Sequence, residues 1–457
     1  MIPQQTNRRR SVHHVPFIFG RILGGFLLSL LPYFPIAAVA QAKHSFAAID
    51  SLSYQAWQRS DWKRVNELTR EGLQSGFDWY YLRMRAGAAE MGLHHPVSAE
   101  RHYRRALEFN DKDPVALGCL YESYLFSGKL PEARLLARDF QPVLRRKLGI
   151  PVRRLISCAF VESGYMVNPS ADSLRSFRPD ADASHLYLIP SYWYVSAGAG
   201  IEAGSRFSAT ISANMLSFRA YQQFIFGIQT PLELEVPYDQ RSVYLSGACY
   251  LGKGFRMTLS GQAMTYTLPL YHWESSESGG GFVATGDSYT DLALGTSLEK
   301  RFPYFSLTIQ GDANRFKNIW YTQAGAAATL YPAGNINTWF RLSGTWCSDS
   351  SRFVMNAAAG RKLFGRAWLE GEYWYGSIRN YSESNSYVVF NNFDLITSRV
   401  GASLLVYRLL PHLDLAVRYQ YSLRRAAWQT YSGGVYVTDI NRVYPVHSII
   451  GGLTWQF

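Results

Sequence analysis

After residue 42 the 457-residue chain has no uninterrupted run of about eighteen apolar residues, which argues against a transmembrane helix in the mature protein. Its four cysteines, Cys119, Cys158, Cys249 and Cys347, are too widely spaced for a disulfide framework or a metal pattern. Cys249 and Cys347 read as small hydrophobes on apolar strand faces. No G-x-S-x-G, H-E-x-x-H or phosphate-binding loop occurs. The formal charge of +12 comes without a basic run or stripe, so nucleic acid is not expected as a partner. His102, His272, His412 and His447 are scattered without a matching nucleophile, and His272 is a candidate for a Ser/His dyad, with a solvated loop histidine as the alternative. No enzyme activity, cofactor or metal is expected.

What the chain does have is aromatic residues, 15% of the total, with 31 Tyr, 26 Phe and 12 Trp. Tyr and Trp carry a polar handle on an apolar ring and suit a membrane–water interface. Residues 1–42 read as an export signal. Arg8, Arg9, Arg10 and Arg21 lead into ILGGFLLSLLPYFPIAAVA, and small residues then offer cleavage after Ala40 or after Ala42.

Residues 43–150 have helical periodicity. Val65, Ala99 and Ala133 stand 34 residues apart, and Gly72, Ala106 and Phe140 repeat the step seven residues later. Small residues at such positions let paired helices approach closely. AERHYRRALEFNDKDP resembles the second helix of a tetratricopeptide repeat, which implies helical hairpins that dock protein partners. A generic helical bundle is the alternative.

From about residue 151 to residue 457 the period becomes two. In YFSLTIQGDANRF, Phe305, Leu307 and Ile309 alternate with Ser306, Thr308 and Gln310. The chain ends in the same way: Leu453, Trp455 and Phe457 against Thr454 and Gln456. Fourteen such strands can be counted. Short turns near Gly204, Gly252, Pro303, Gly334, Gly365 and Pro411 alternate with connections at 219–240, 268–287, 378–394 and 425–444 that read as long loops. This layout predicts an antiparallel transmembrane β-barrel of about 14 strands, with both ends on the short-turn side. A soluble β-sandwich is the alternative. Trp455 and Phe457 are expected to act as an insertion signal read by the barrel-assembly machinery.

Alternation assigns Glu202, Arg256, Asp291, Glu299, Asp312, Arg341, Glu370, Glu372, Arg399, Asp414 and Arg418 to the lumen. They would guide a polar solute, or pair with one another and fill a rigid interior. Tyr192, Tyr194, Tyr244, Tyr250, Trp339 and Trp374 share that face as a candidate sugar-stacking track. SYWYVSAGAGIEAGSRFSATI (191–211) resembles the early barrel hairpin of YaiO-type outer-membrane proteins. The order of repeats and barrel is also similar to that of exporters of poly-N-acetylglucosamine and cellulose. The resemblance implies a barrel in the bacterial outer membrane among its lipids, with a periplasmic helical domain contacting periplasmic proteins. The function expected is a channel or export component, with polysaccharide as a candidate solute. A barrel-anchored scaffold is the alternative, and a lipid or glycan hydrolase inside the barrel a third.

Overall fold

A computed structural model describes residues 44–150, 155–226, 230–276, 279–349, 352–388, 395–432 and 435–457, with backbone alone for 268–285 and 395–397. The leader and both cleavage positions, Ala40 and Ala42, lie outside the described residues.

Seven helices occupy Phe46–Lys147 among the described residues: α1 Phe46–Gln58, α2 Trp62–Gln74, α3 Tyr80–Gly92, α4 Pro96–Phe109, α5 Pro114–Phe126, α6 Leu130–Arg138 and α7 Pro142–Lys147. Their starts are chemically marked. Ser45, Asp61 and Asp113 accept hydrogen bonds from the free N–H groups of Ala48, Arg64 and Ala116. Proline opens α4, α5 and α7, where its missing N–H costs nothing. The helices form three antiparallel hairpins that begin at Phe46, Tyr80 and Pro114, a step of 34 residues. Val65, Ala99 and Ala133 are buried at equivalent points of the second helices. Close packing is strict at Gly87, where a Cβ would lie 2.5 Å from the Tyr103 ring.

His102, on α4, faces Arg83 of α3, and burial, followed by the charge of Arg83, pushes its imidazole below its ordinary value near 6.5. Arg83 Nη1 donates to His102 Nδ1 at 3.3 Å, a bond only the neutral ring accepts. The unfolded chain takes up this proton more readily than the folded one, so stability is complete above about pH 6.5 and falls as pH drops below it. Amide exchange of α3 and α4 in the full chain, corrected for intrinsic rates, should accelerate by up to about tenfold per pH unit there. The His102→Gln variant should not show this acceleration. An equal response in both proteins would remove His102 as the cause.

From Ile156 onward the chain is a closed antiparallel barrel. Strand β1 (Ile156–Val167) is followed by a short helix α8 (Ala171–Ser176), a short strand β2 (Ala183–Leu188) and β3 (Ser191–Ala203). The strands β4 (Phe207–Phe226), β5 (Leu232–Gly252), β6 (Phe255–Ser276) and β7 (Gly279–Arg301) are long. A low wall follows: β8 (Phe305–Phe316), β9 (Ile319–Leu330), β10 (Thr338–Cys347), β11 (Arg352–Phe364) and β12 (Ala367–Ile378). Then come β13 (Leu395–Leu410), β14 (Leu413–Ser432) and β15 (Val435–Gln456). β15 pairs with β1, Trp455 opposite Ala159 and Leu453 opposite Val161, and this ladder closes a ring of fourteen strands. β2 is additional. It bridges the upper parts of β4 and β14.

Alternation sorts the two faces. Ile309 is 61% exposed on the outside, while Asn314 on the same strand is 0% exposed within. Leu307, Phe340 and Leu342 continue the apolar exterior that belongs in a bilayer.

Three of the expected long loops are mostly strand. β4–β5, β6–β7 and β14–β15 run on as tall hairpins in which Pro237, Pro269 and Pro445 lie inside ladders opposite Arg219, Gly286 and Leu423. His272 accordingly lies in the β6 ladder opposite Val283, not in a loop. Cys347 is also corrected: its neighbour Trp346 faces out, which turns the Cys347 thiol inward against Val354 and Trp374. All four cysteines are free.

Candidate functional site

Two segments enter the barrel. Residues 168–190, between β1 and β3, carry α8 and β2 over the long-loop end. There Leu174, Leu186, Leu188 and Ile189 join inward residues of β4, β5, β14 and β15 in one apolar cap that includes Tyr238, Trp428 and Tyr444. The second segment is 379–388, the part of the β12–β13 connection that precedes residues outside the described set. It crosses the middle of the lumen.

Two wall glutamines hold this inner segment as a neighbouring strand would. Gln323 on β9 donates to Ser382 O and accepts from Ser382 N, both at 3.0 Å. Gln262 on β6 does the same for Val388, at 2.7 and 2.6 Å. Between these clamps, Ser386 donates to Asp312 at 2.6 Å and Tyr244 donates to the Asn385 carbonyl at 3.1 Å. Arg341 reaches Ser384 at 3.3 Å, and Arg399 donates to Glu383 at 2.7 Å while stacking on Trp374. Tyr387 meets Tyr194 and Asn214. The segment's backbone polar groups thus find partners away from bulk water, as buried groups must.

The inner segment divides the lumen. Toward the short-turn end lie a largely aromatic space of about 560 Å³ and a polar one of about 240 Å³ that share Thr329, Tyr331 and Arg341. Ser384 and Asn385 form the ceiling of the smaller one. On the segment's other side is a cavity of about 150 Å³ lined by Glu162, Tyr165, Tyr192, Arg399 and Arg418 among others. The apolar cap lies beyond it, with Tyr192 packed against both.

The charged positions assigned by alternation fall at different heights. Arg256 and Glu299 line the 240 Å³ space with Arg341, and Glu370 lines the 560 Å³ space. Glu372 packs against Gly401. Asp291 is fully buried and accepts from Tyr266 and from the Lys317 amide, both at 2.8 Å. Asp414 sits at the short-turn rim, where it accepts from Arg408 N and Gln456 Nε2. Two ion pairs among the described residues run outside the set, Glu202 to Arg134 of α6 and Arg399 to Glu383. Neutral amides and hydroxyls therefore do much of the filling that an Arg–carboxylate network was expected to do. The aromatic track is likewise interrupted, since Tyr244 and Tyr194 contact Tyr387, and Trp374 contacts Tyr381.

Sequence reasoning missed Gln262, Asn314 and Gln323 as functional positions. The available signal was their common height: Gln262 stands opposite Ala293, Ala293 opposite Asn314, and Gln323 opposite Asp312. At the short-turn end the helices rest on the barrel. Arg301 donates to the Ser127 carbonyl at 2.6 Å, and Asn335 donates to the His94 carbonyl at 3.0 Å.

No family model and no curated protein matches the chain. Among solved structures it is similar to a Pseudomonas aeruginosa FadL homologue, at 9% identity over 66% of this chain and 90% of that one, TM-score 0.44. It is similar to a deltaS2 mutant of the TodX monoaromatic hydrocarbon channel, at 7% identity over 70% and 94%, TM-score 0.46. A third similarity is to the translocator domain of the autotransporter NalP from Neisseria meningitidis, at 12% identity over 73% and 99%, TM-score 0.35.

Proposed function

We propose that this chain is an outer-membrane channel or export component, closed at rest, that opens when residues 379–388 leave the lumen. One observation carries the reading: a polar segment, clamped by Gln262 and Gln323, lies between the polar space on the short-turn side and the cavity beyond it. Water can replace the neutral hydrogen bonds of Gln262 and Gln323 at a net cost of about 1 kcal/mol each, while Val388, packed with Met264, Ala293 and Phe316, and Tyr381, packed on Trp374, set the apolar part of the cost of leaving. Polysaccharide is the solute we favour, because tyrosines and mixed charges line the path. The helical hairpins, with their 34-residue step, would face the periplasm and act as tetratricopeptide-like docking units, in the manner of the YaiO-type architecture. Planar-bilayer conductance of the refolded full chain, with and without its inner segment, tests the proposal.

A second reading, a barrel that only anchors the helices, is favoured by the apolar cap. It predicts no conductance in either protein.

Trp455 and Phe457 fit an insertion signal, since both are exposed on the barrel exterior and the Phe457 amide donates to Ser157 O beside the closing ladder. Deleting Phe457 should lower the membrane-inserted fraction severalfold in cells while α1–α7 remain folded. Heat-modifiable migration and surface labelling measure this, and no change in either would refute the role.

A further inference from the structure

The space of about 560 Å³ at the short-turn end is walled by Tyr331, Trp339, Trp368 and Tyr407, with Arg341 and Glu370 among them. One register row makes its floor: Trp339 on β10 stands opposite Gly360 on β11, and Gly360 opposite Glu370 on β12. The indole of Trp339 leans over the bare Gly360, where an added Cβ would lie within 2.7 Å of three indole atoms. One side of the ring therefore rests on backbone, and no ring or cation covers the other among the described residues. Trp368, two residues nearer the rim than Glu370, is held by Lys362 over its ring and by Tyr407 edge-on, each at 5.0 Å. Arg301 backs Tyr331 in the same way, at 4.3 Å.

Two polar groups in this aromatic wall lack close partners. Arg341 donates from Nη2 to Ser384, but its Nε is buried without an acceptor among the described residues. Glu370 makes no hydrogen bond or ion pair among them, while Arg418 and Glu372 act on its charge through space. A hydrocarbon in this space would take water from both groups and return nothing. Sugar hydroxyls both donate and accept, so they can serve the guanidinium and the carboxylate together. The C–H faces of the same sugar would cover the rings. Size sets the length of the occupant. An engineered cavity of about 150 Å³ holds benzene, and a space of about 560 Å³ holds nearly four times as much, about a disaccharide. It is open at both ends, sharing Trp368 and Tyr407 with a rim groove of about 940 Å³ and Arg341 with the 240 Å³ space.

We propose that this space is a glycan subsite for two linked pyranose rings. One ring lies on the open face of Trp339, with hydroxyls on Glu370 and Arg341, and the next lies toward Trp368 and Tyr407. A longer chain can continue through either opening. A place for this subsite in transport rests on the channel reading above. The binding does not, because the space lies on the short-turn side of the inner segment.

The test is isothermal titration of cellobiose, maltose and D-glucose into the refolded full chain, in a detergent without a sugar head group. Correct folding is checked by heat-modifiable migration. At least one disaccharide should bind at least about tenfold more tightly than glucose, about 1.4 kcal/mol. Trp339→Ala should weaken that disaccharide at least tenfold, and Trp339→Phe should weaken it less. Gly360→Val keeps every ring and polar group but pushes Trp339 off the wall, and should weaken binding severalfold. Glu370→Gln should also weaken it severalfold, a result that does not depend on how the Gly360 variant folds. Disaccharides that bind no better than glucose, an unchanged affinity in Trp339→Ala, or no binding of either disaccharide by the folded parent would overturn the proposal. Disaccharide binding in a protein that never conducts would leave the subsite standing and defeat the channel. Conductance without disaccharide binding would do the reverse.

Discussion

Replacing Tyr381–Val388 with a short glycine–serine bridge should turn a nearly silent barrel into a conducting one, with single-channel conductance rising at least about tenfold over the parent. The expectation follows from what the segment fills. It lies between the short-turn vestibule and the inner cavity, and Ser384 and Tyr387 border one each. Part of the wall that remains is polar, and water can take over the hydrogen bonds of Gln262, Asn314, Gln323 and Asp312, while Met264, Phe316 and Trp374 lose the apolar cover of Val388 and Tyr381.

A single substitution should act in the same direction. A side chain built on Gly295 would collide with Ser386 Oγ and with Asp312, so Gly295→Leu cannot coexist with the segment as seated. Gly371→Leu is the control, since a Cβ there meets nothing closer than the Gly401 carbonyl at 3.9 Å. Gly295→Leu should conduct and Gly371→Leu should resemble the parent. If the parent already conducts as well as the bridged variant, the segment is no gate. If neither the bridged variant nor Gly295→Leu conducts, even after removal of residues 43–150, the anchor reading takes its place.

The sequence made the barrel legible because its walls obey one simple rule. Phe305, Leu307 and Ile309 face lipid and Ser306 faces the lumen because successive side chains of a strand point to opposite faces. The helical hairpins were legible for a similar reason: Val65, Ala99 and Ala133 repeat because the same close approach recurs. The interior was not legible. Inward charges could be assigned by alternation, but what they would meet depends on how the β12–β13 connection folds back across the lumen. Nothing local in NYSESNSYVVF says that Ser382 and Val388 will find glutamines on β9 and β6. Length misled at the long connections. LELEVPYD alternates Leu234, Val236 and Tyr238 toward the cap, yet it lies within 219–240, which reads as a long loop. The cap's core therefore went unseen, because its residues lie in segments read as loops.

Trp428 and Trp455 provide the sharpest test of that cap, being one residue type on adjacent strands in opposite settings. Trp428 is 0% exposed at the heart of the cap, edge-on to Phe177 at 4.9 Å and paired in register with Leu186 of β2 and Ile440 of β15. Trp455 is 47% exposed on the barrel's outer face. A buried tryptophan removes roughly 150–250 Å² from water, and its replacement by alanine also leaves a cavity in rigid surroundings, at about 3–5 kcal/mol. Trp428→Ala should therefore lower unfolding stability by about 3–5 kcal/mol in a urea titration of vesicle-embedded protein. It should also loosen 168–190 enough for an added protease to cut there. Trp455→Ala exchanges one lipid contact for another and should cost no more than about 1 kcal/mol. The contrast has a direct bearing on how the barrel works. If Trp428→Ala is destabilised as expected yet conducts no better than the parent, the cap is structural and the inner segment alone governs passage. If Trp428→Ala by itself conducts, the cap is a second gate in series with the first. Equal and small losses for the two tryptophans would mean that the cap contributes no core, and that its apolar residues do not pack together in the membrane-embedded protein.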